Sequence, residues 1–66
     1  MTVVVNGAER ALSEATTIAE LVRTLGAAPR GVAVAVNDEV VPRSTWDARV
    51  LADGDRVEVL GAVQGG

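Results

Sequence analysis

Thr17-Ile18-Ala19-Glu20-Leu21-Val22-Arg23-Thr24-Leu25-Gly26 carries a helical period between stretches that read as valine strands. Thr17 and Glu20 stand at capping-box spacing, with the hydroxyl able to reach the Glu20 amide and the carboxylate able to reach back to Thr17. Ile18, Leu21, Val22 and Leu25 fall at i, i+3, i+4 and i+7 and form one apolar stripe, leaving Glu20, Arg23 and Thr24 to water. Gly26 suits the position just past a helix end, and Pro29 bars continuation. The spacing predicts a helix from Ile18 to Leu25. A helix this short does not persist alone, so its stripe must dock on a sheet.

The sheet is visible on either side. Thr2-Val3-Val4-Val5-Asn6 reads as a first strand, and Ala8 to Leu12 as a weaker second one. Asn6-Gly7 between them fits a type I′ turn, which needs positive φ at both central residues. After the helix, Gly31 to Val36 alternates valine with alanine, and Asn37-Asp38 makes a second tight turn. Glu39-Val40-Val41 is a short return strand ended by Pro42, which an edge strand tolerates. A turn of 3₁₀ helix is expected near Ser44-Thr45-Trp46-Asp47. Trp46 is either a binding residue or a plug over one end of the core. Asp53-Gly54-Asp55 suggests a metal at first sight, but no acidic residues follow at calcium-loop spacing, and a turn is the better reading. Arg56 to Leu60 is the last strand. The 13 valines, which fit a pleated surface, are the material of this sheet.

The order is therefore β-β-α-β-β-β. A helix between strands favours a right-handed crossover with parallel pairing across it, and a single helix covers one face of a sheet. Setting the last strand beside the first, in mid-sheet, gives an α+β domain of the β-grasp (ubiquitin-like) kind: a mixed sheet of four to five strands on one helix. The inward set is Val3, Val5, Leu12, Ile18, Leu21, Val22, Leu25, Val34, Val36, Leu51, Val57 and Val59. The domain is expected over 1–60, with a flexible tail at 61–66. Sixty-six residues allow one such domain, near the lower size limit for an unstapled core.

Composition excludes several functions. The net charge is −3, the six basic residues are scattered arginines, and Trp46 is the lone aromatic, all of which argue against nucleic acid. The longest apolar run, Gly31 to Val36, is too short for a membrane span. The first residues lack the pattern of a signal peptide, so a cytoplasmic location is expected. There is no cysteine, histidine or lysine, so no metal site is expected, and Ser13 and Ser44 have no base beside them. An independent enzyme is the least supported reading. The missing lysine either spares an activated acyl group from side-chain attack or reflects a composition in which arginine replaces it.

Two features remain. The chain ends Val63-Gln64-Gly65-Gly66. The pair is either a frayed end or a reactive carboxylate, and glycine suits the second role because it has no side chain to block a narrow active site. On the face away from the helix, Val4, Ala33, Ala35, Arg56, Glu58 and Leu60 would form a patch beside the exit of the tail. Such a patch often marks a partner site, although single exposed apolar residues are ordinary.

Val5-Asn6-Gly7, Thr17 to Val22, Val34-Ala35-Val36-Asn37, Val41-Pro42-Arg43-Ser44-x-Trp46, Leu51-x-Asp53-Gly54-Asp55-Arg56-Val57-Glu58 and Val63-Gln64-Gly65-Gly66 together resemble the ThiS family, the sulfur carriers of thiamine biosynthesis. The resemblance covers nearly the whole chain. It implies that a ThiF-like partner uses ATP to adenylate the Gly66 carboxylate. Sulfur from a cysteine desulfurase route then replaces AMP, and a ThiG-like thiazole synthase accepts it. Gly65 and Gln64 would be needed for the tail to enter partner active sites. No cofactor is expected on the chain itself. Related alternatives are carriers for molybdopterin, cysteine or tRNA thiolation, and a ubiquitin-like protein modifier.

Overall fold

The chain forms β1 (Thr2–Val5), β2 (Ala8–Ala11), α1 (Ile18–Thr24), β3 (Val32–Val36), β4 (Glu39–Val41) and β5 (Arg56–Gly61), with 3₁₀ turns at Pro29–Gly31 and Arg43–Thr45. The computed structural model describes residues 1–61, with Pro29 described by its backbone alone. The strands make one sheet in the order β2-β1-β5-β3-β4. β1 and β5 run parallel, and β1–β2, β3–β4 and β3–β5 run antiparallel. This is the expected β-grasp, with the last strand at the centre. The two hairpins turn where the sequence placed them, at Asn6-Gly7 (φ 50 and 85) and Asn37-Asp38 (φ 50 and 72), the left-handed pairs of a type I′ turn.

The helix forms between the expected caps. The Glu20 amide donates to Thr17 Oγ1 at 3.2 Å, and the Thr17 amide donates to Glu20 Oε1 at 2.9 Å. At the other end Leu25 is the C-cap, so the helix stops one residue earlier than predicted. Gly26 takes φ 77. Its amide donates to the Arg23 carbonyl at 3.0 Å, while the Ala27 amide donates to Val22 at 3.3 Å. These two bonds are the Schellman pattern, which satisfies carbonyls that the helix leaves without partners. The first helical amides are served from elsewhere: Ile18 donates to the Arg49 carbonyl at 3.0 Å and Ala19 to that of Trp46 at 3.2 Å. The stretch after β4 therefore closes the helix N-terminus, which would otherwise leave those donors unsatisfied.

Ile18, Leu21 and Val22 are buried in one core with Val3, Val5, Val34, Val36, Leu51 and Val57. Leu12, Leu25 and Val59 are only partly buried and pack on the edge of this cluster. Two residues join the core from outside the expected inward set. Val41 is buried because its register partner is Val34 on the covered face, whereas Val40 pairs with Ala35 on the open face. Two consecutive valines in a three-residue strand do not reveal which points inward. Trp46 is also buried, with its indole N–H donating to the Val41 carbonyl at 3.0 Å. Of its two readings, the core plug is the one the structure takes.

β5 reaches Gly61, one residue past its expected end, because Gly61 still pairs with Val32. The rest of the expected tail, including Gln64, Gly65 and Gly66, lies outside the described residues. Among the described residues, no helix is long and apolar enough to cross a membrane.

Candidate functional site

The site is built around β5, the strand that leads toward Gly65-Gly66. β5 is central because Val57 and Val59 alternate with Arg56, Glu58 and Leu60: one set meets the helix layer and the other lies on the open face. Across from it, Ala33 pairs with Leu60 and Ala35 with Glu58. On the other side Val4 pairs with Arg56. Leu60 is 67% exposed, Ala33 is exposed, and Val4 and Ala35 are half-buried.

The six patch residues thus share one face but do not form one apolar surface. Leu60 lies four residues beyond the level of Val4, about 13 Å along the strand at the usual rise. Arg56 and Glu58 stand between them. The apolar part nearest the exit is Leu60, Ala33 and Ala35, extended by Val40, which is 76% exposed opposite Ala35. Sequence reasoning missed Val40 for the same reason that it missed Val41. A recess of about 380 Å³ adjoins this end, lined by Arg30, Gly31, Val32, Ala33, Leu60 and Gly61.

One charge on this face is held by an ion pair. Arg56 Nη2 lies 2.6 Å from Asp38 Oδ2. That hydrogen bond, with the Asp38 and Glu58 charges, raises the guanidinium pKa above its ordinary value, so Arg56 is a permanent cation fixed toward the β3–β4 turn. The Asp53-Gly54-Asp55 carboxylates accept from main-chain amides: Asp53 Oδ1 from Thr2 at 2.7 Å and Asp55 Oδ2 from Ala52 at 2.8 Å. They build a turn. Among the described residues, no group of three acidic, histidine or cysteine side chains could hold a metal ion.

Both turn asparagines also reach β5. Asn6 Oδ1 accepts from the Val59 amide at 2.8 Å, and Asn6 Nδ2 donates to the Val59 carbonyl at 3.2 Å. On the opposite side, Asn37 Oδ1 accepts from the Arg56 amide at 2.9 Å, and Asn37 Nδ2 donates to Asp55 Oδ1 at 3.0 Å. The sequence marked these residues as turn formers, and nothing in their local spacing signals the second task.

The model of the ThiS family matches residues 3–66. The chain belongs to the ThiS family. It is 41% identical over 61 residues to the sulfur carrier protein ThiS of Thermus thermophilus, covering 92% of this chain and 94% of that one. The crystal structure of the thiamine biosynthesis protein ThiS from Geobacter metallireducens superposes with a TM-score of 0.84 at 36% identity, over 100% of both chains. The chain is also 39% identical over all 66 residues to a stretch of the thiazole synthase of Paramagnetospirillum magneticum, a protein of which it spans only 20%. Within the ThiS frame, the described residues supply the platform: a core on one face, an apolar exit region on the other, and a doubly held strand between them.

Proposed function

We propose that the chain is the sulfur carrier of thiamine biosynthesis, with the Gly66 carboxylate as the point of attachment. The family match carries this reading, because it spans the folded platform and continues through Gly65-Gly66. A carboxylate is a poor electrophile. One of its oxygens attacks the α-phosphorus of ATP on a ThiF-like partner, pyrophosphate leaves, and the acyl-adenylate has a good leaving group. Persulfide sulfur from a cysteine desulfurase route, reduced to the sulfide level by a thiol that leaves as a disulfide, then attacks the carbonyl carbon. AMP departs with the bonding electrons and leaves a thiocarboxylate. Thiazole synthase takes that sulfur for the thiazole ring. Support for this partner comes from the Paramagnetospirillum magneticum thiazole synthase, whose own chain contains a stretch like this one.

The chain acts as a carrier and its partners supply the catalysis. It has no cysteine to hold a persulfide and no histidine or lysine to assist at phosphate. ATP is consumed on the partner, and the work takes place in the cytoplasm. The partners dock on the open face at Leu60, Ala33, Ala35 and Val40, with Val4, Arg56 and Glu58 further along it, while Gln64 and Gly65 thread the active site.

The test is to incubate the chain with the adenylating enzyme, ATP and a sulfur donor, and to weigh the intact protein. The expected product is heavier by the difference between sulfur and oxygen, localised to Gly66, and deletion of Gly66 abolishes it. Thiolation of the truncated chain overturns the reading, and larger conjugates in its place indicate a protein modifier.

A further inference from the structure

The β1–β5 ladder ends early. Val4 donates to the Asp55 carbonyl and Asn6 to the Val57 carbonyl, both at 2.9 Å. In a parallel ladder the next rung would join the Val59 amide to the residue-6 carbonyl, and the Val59 carbonyl to the residue-8 amide. The backbone has by then left the sheet at the Asn6-Gly7 turn. The Asn6 carboxamide supplies both halves of the missing rung, accepting from the Val59 amide and donating to the Val59 carbonyl. Among the described residues, Val59 is the last of β5 held from the β1 side. Leu60 and Gly61 pair with Ala33 and Val32 of β3.

We infer that Asn6 is a positioning residue for the reactive tail: its carboxamide locks Val59 and so sets the direction in which β5 leaves the sheet. This rests on the reading that Gly66 is delivered into a partner active site. Delivery needs an accurate path, since small misplacement of a reacting group is costly in rate. Without the clamp, the end of β5 loses its hold on that side and samples more directions. Asn37 is the internal control. It has the same φ of 50 and also grips β5 by its carboxamide, but at Arg56 and Asp55, on the far side of the strand and further from the tail.

The experiment compares Asn6→Gly and Asn37→Gly in the full chain. Glycine keeps the positive φ of each turn and removes the side chain with its carboxamide, and its added backbone freedom is common to both variants. The readouts are amide exchange by NMR and the kinetics of Gly66 adenylation, followed by ATP–pyrophosphate exchange on the adenylating enzyme well below the melting temperature of either variant. Asn6→Gly is expected to speed exchange at the Val59 amide about tenfold, as for loss of a hydrogen bond. It should lower kcat about tenfold with little change in KM, because the docking face is untouched. Asn6→Asp, which keeps the acceptor for the Val59 amide, should recover part of the rate. Asn37→Gly should lower the melting temperature similarly and leave kcat at the wild-type value. An Asn6→Gly chain with wild-type kcat overturns the inference, as does an equal loss in Asn37→Gly. If the wild-type chain is never adenylated, the carrier reading fails and this inference falls with it.

Discussion

Both faces of the sheet carry large aliphatic side chains, and on the two sides these behave as opposites. Val3, Val5, Val34, Val36 and Val57 on the covered face are buried by a single helix of two turns. Val40 and Leu60 on the open face remain 76% and 67% exposed. Nothing in the side chains separates the two sets. Strand alternation sorts them, together with one helix that covers only one side. In a chain this small the covered face has no redundancy, so its side chains determine stability. The open face is spared that duty and can be shaped for contact.

This division is testable by graded substitution. The largest effect should come from Leu21→Ala, which leaves a void under α1. A loss of about 3 kcal/mol is expected, equivalent to a fall in melting temperature of about 12–24 °C for a domain of this size, read by calorimetry. The adjacent pair Val40 and Val41 offers a sharper comparison. Val41→Ala should cost about 2 kcal/mol for the buried methyl groups removed, while Val40→Ala should stay within about 0.5 kcal/mol; urea melts of both read the difference. Equal losses would break the two-face division.

Thr17→Ala should cost about 1 kcal/mol by removing half of the capping box, and the same melts would report it. The smallest stability effect is expected for Leu60→Asp, within about 0.5 kcal/mol. Titration calorimetry with the adenylating partner should nevertheless show affinity reduced about tenfold or more, as when a charge enters an apolar contact. Unchanged affinity would remove the exit end of the open face from the interaction.

Much of this arrangement is legible in the sequence because it is written locally. Asn6-Gly7 carries its own φ preference, Thr17 and Glu20 carry their own hydrogen bonds, and Gly26 carries its own C-cap. The alternation of Val34, Ala35 and Val36 assigns faces without reference to any other strand. Val40 and Val41 resist this reading, because two adjacent valines in three residues are assigned only by register with Val34 and Ala35. Trp46 is similar: its indole partner is a carbonyl on β4, and no periodicity points to it. The least legible element is the grip of Asn6 on Val59, across 53 positions of chain. An asparagine in a turn already has a sufficient local reason to be there, which hides the distant one. On the candidate site, sequence placed six residues on one face but could not show that Val4 and Leu60 stand far apart along β5.

The central position of β5 has a mechanical consequence. A load applied at Gly61 along the axis of β5 meets hydrogen bonds on both flanks. The rungs on either side run across that axis, from β1 on one flank and β3 on the other. The load is therefore shared in shear by many bonds at once. Were β5 an edge strand pulled sideways, the same bonds would open one after another like a zip. Its place in mid-sheet thus makes β5 the strand best able to bear a pull along its own axis.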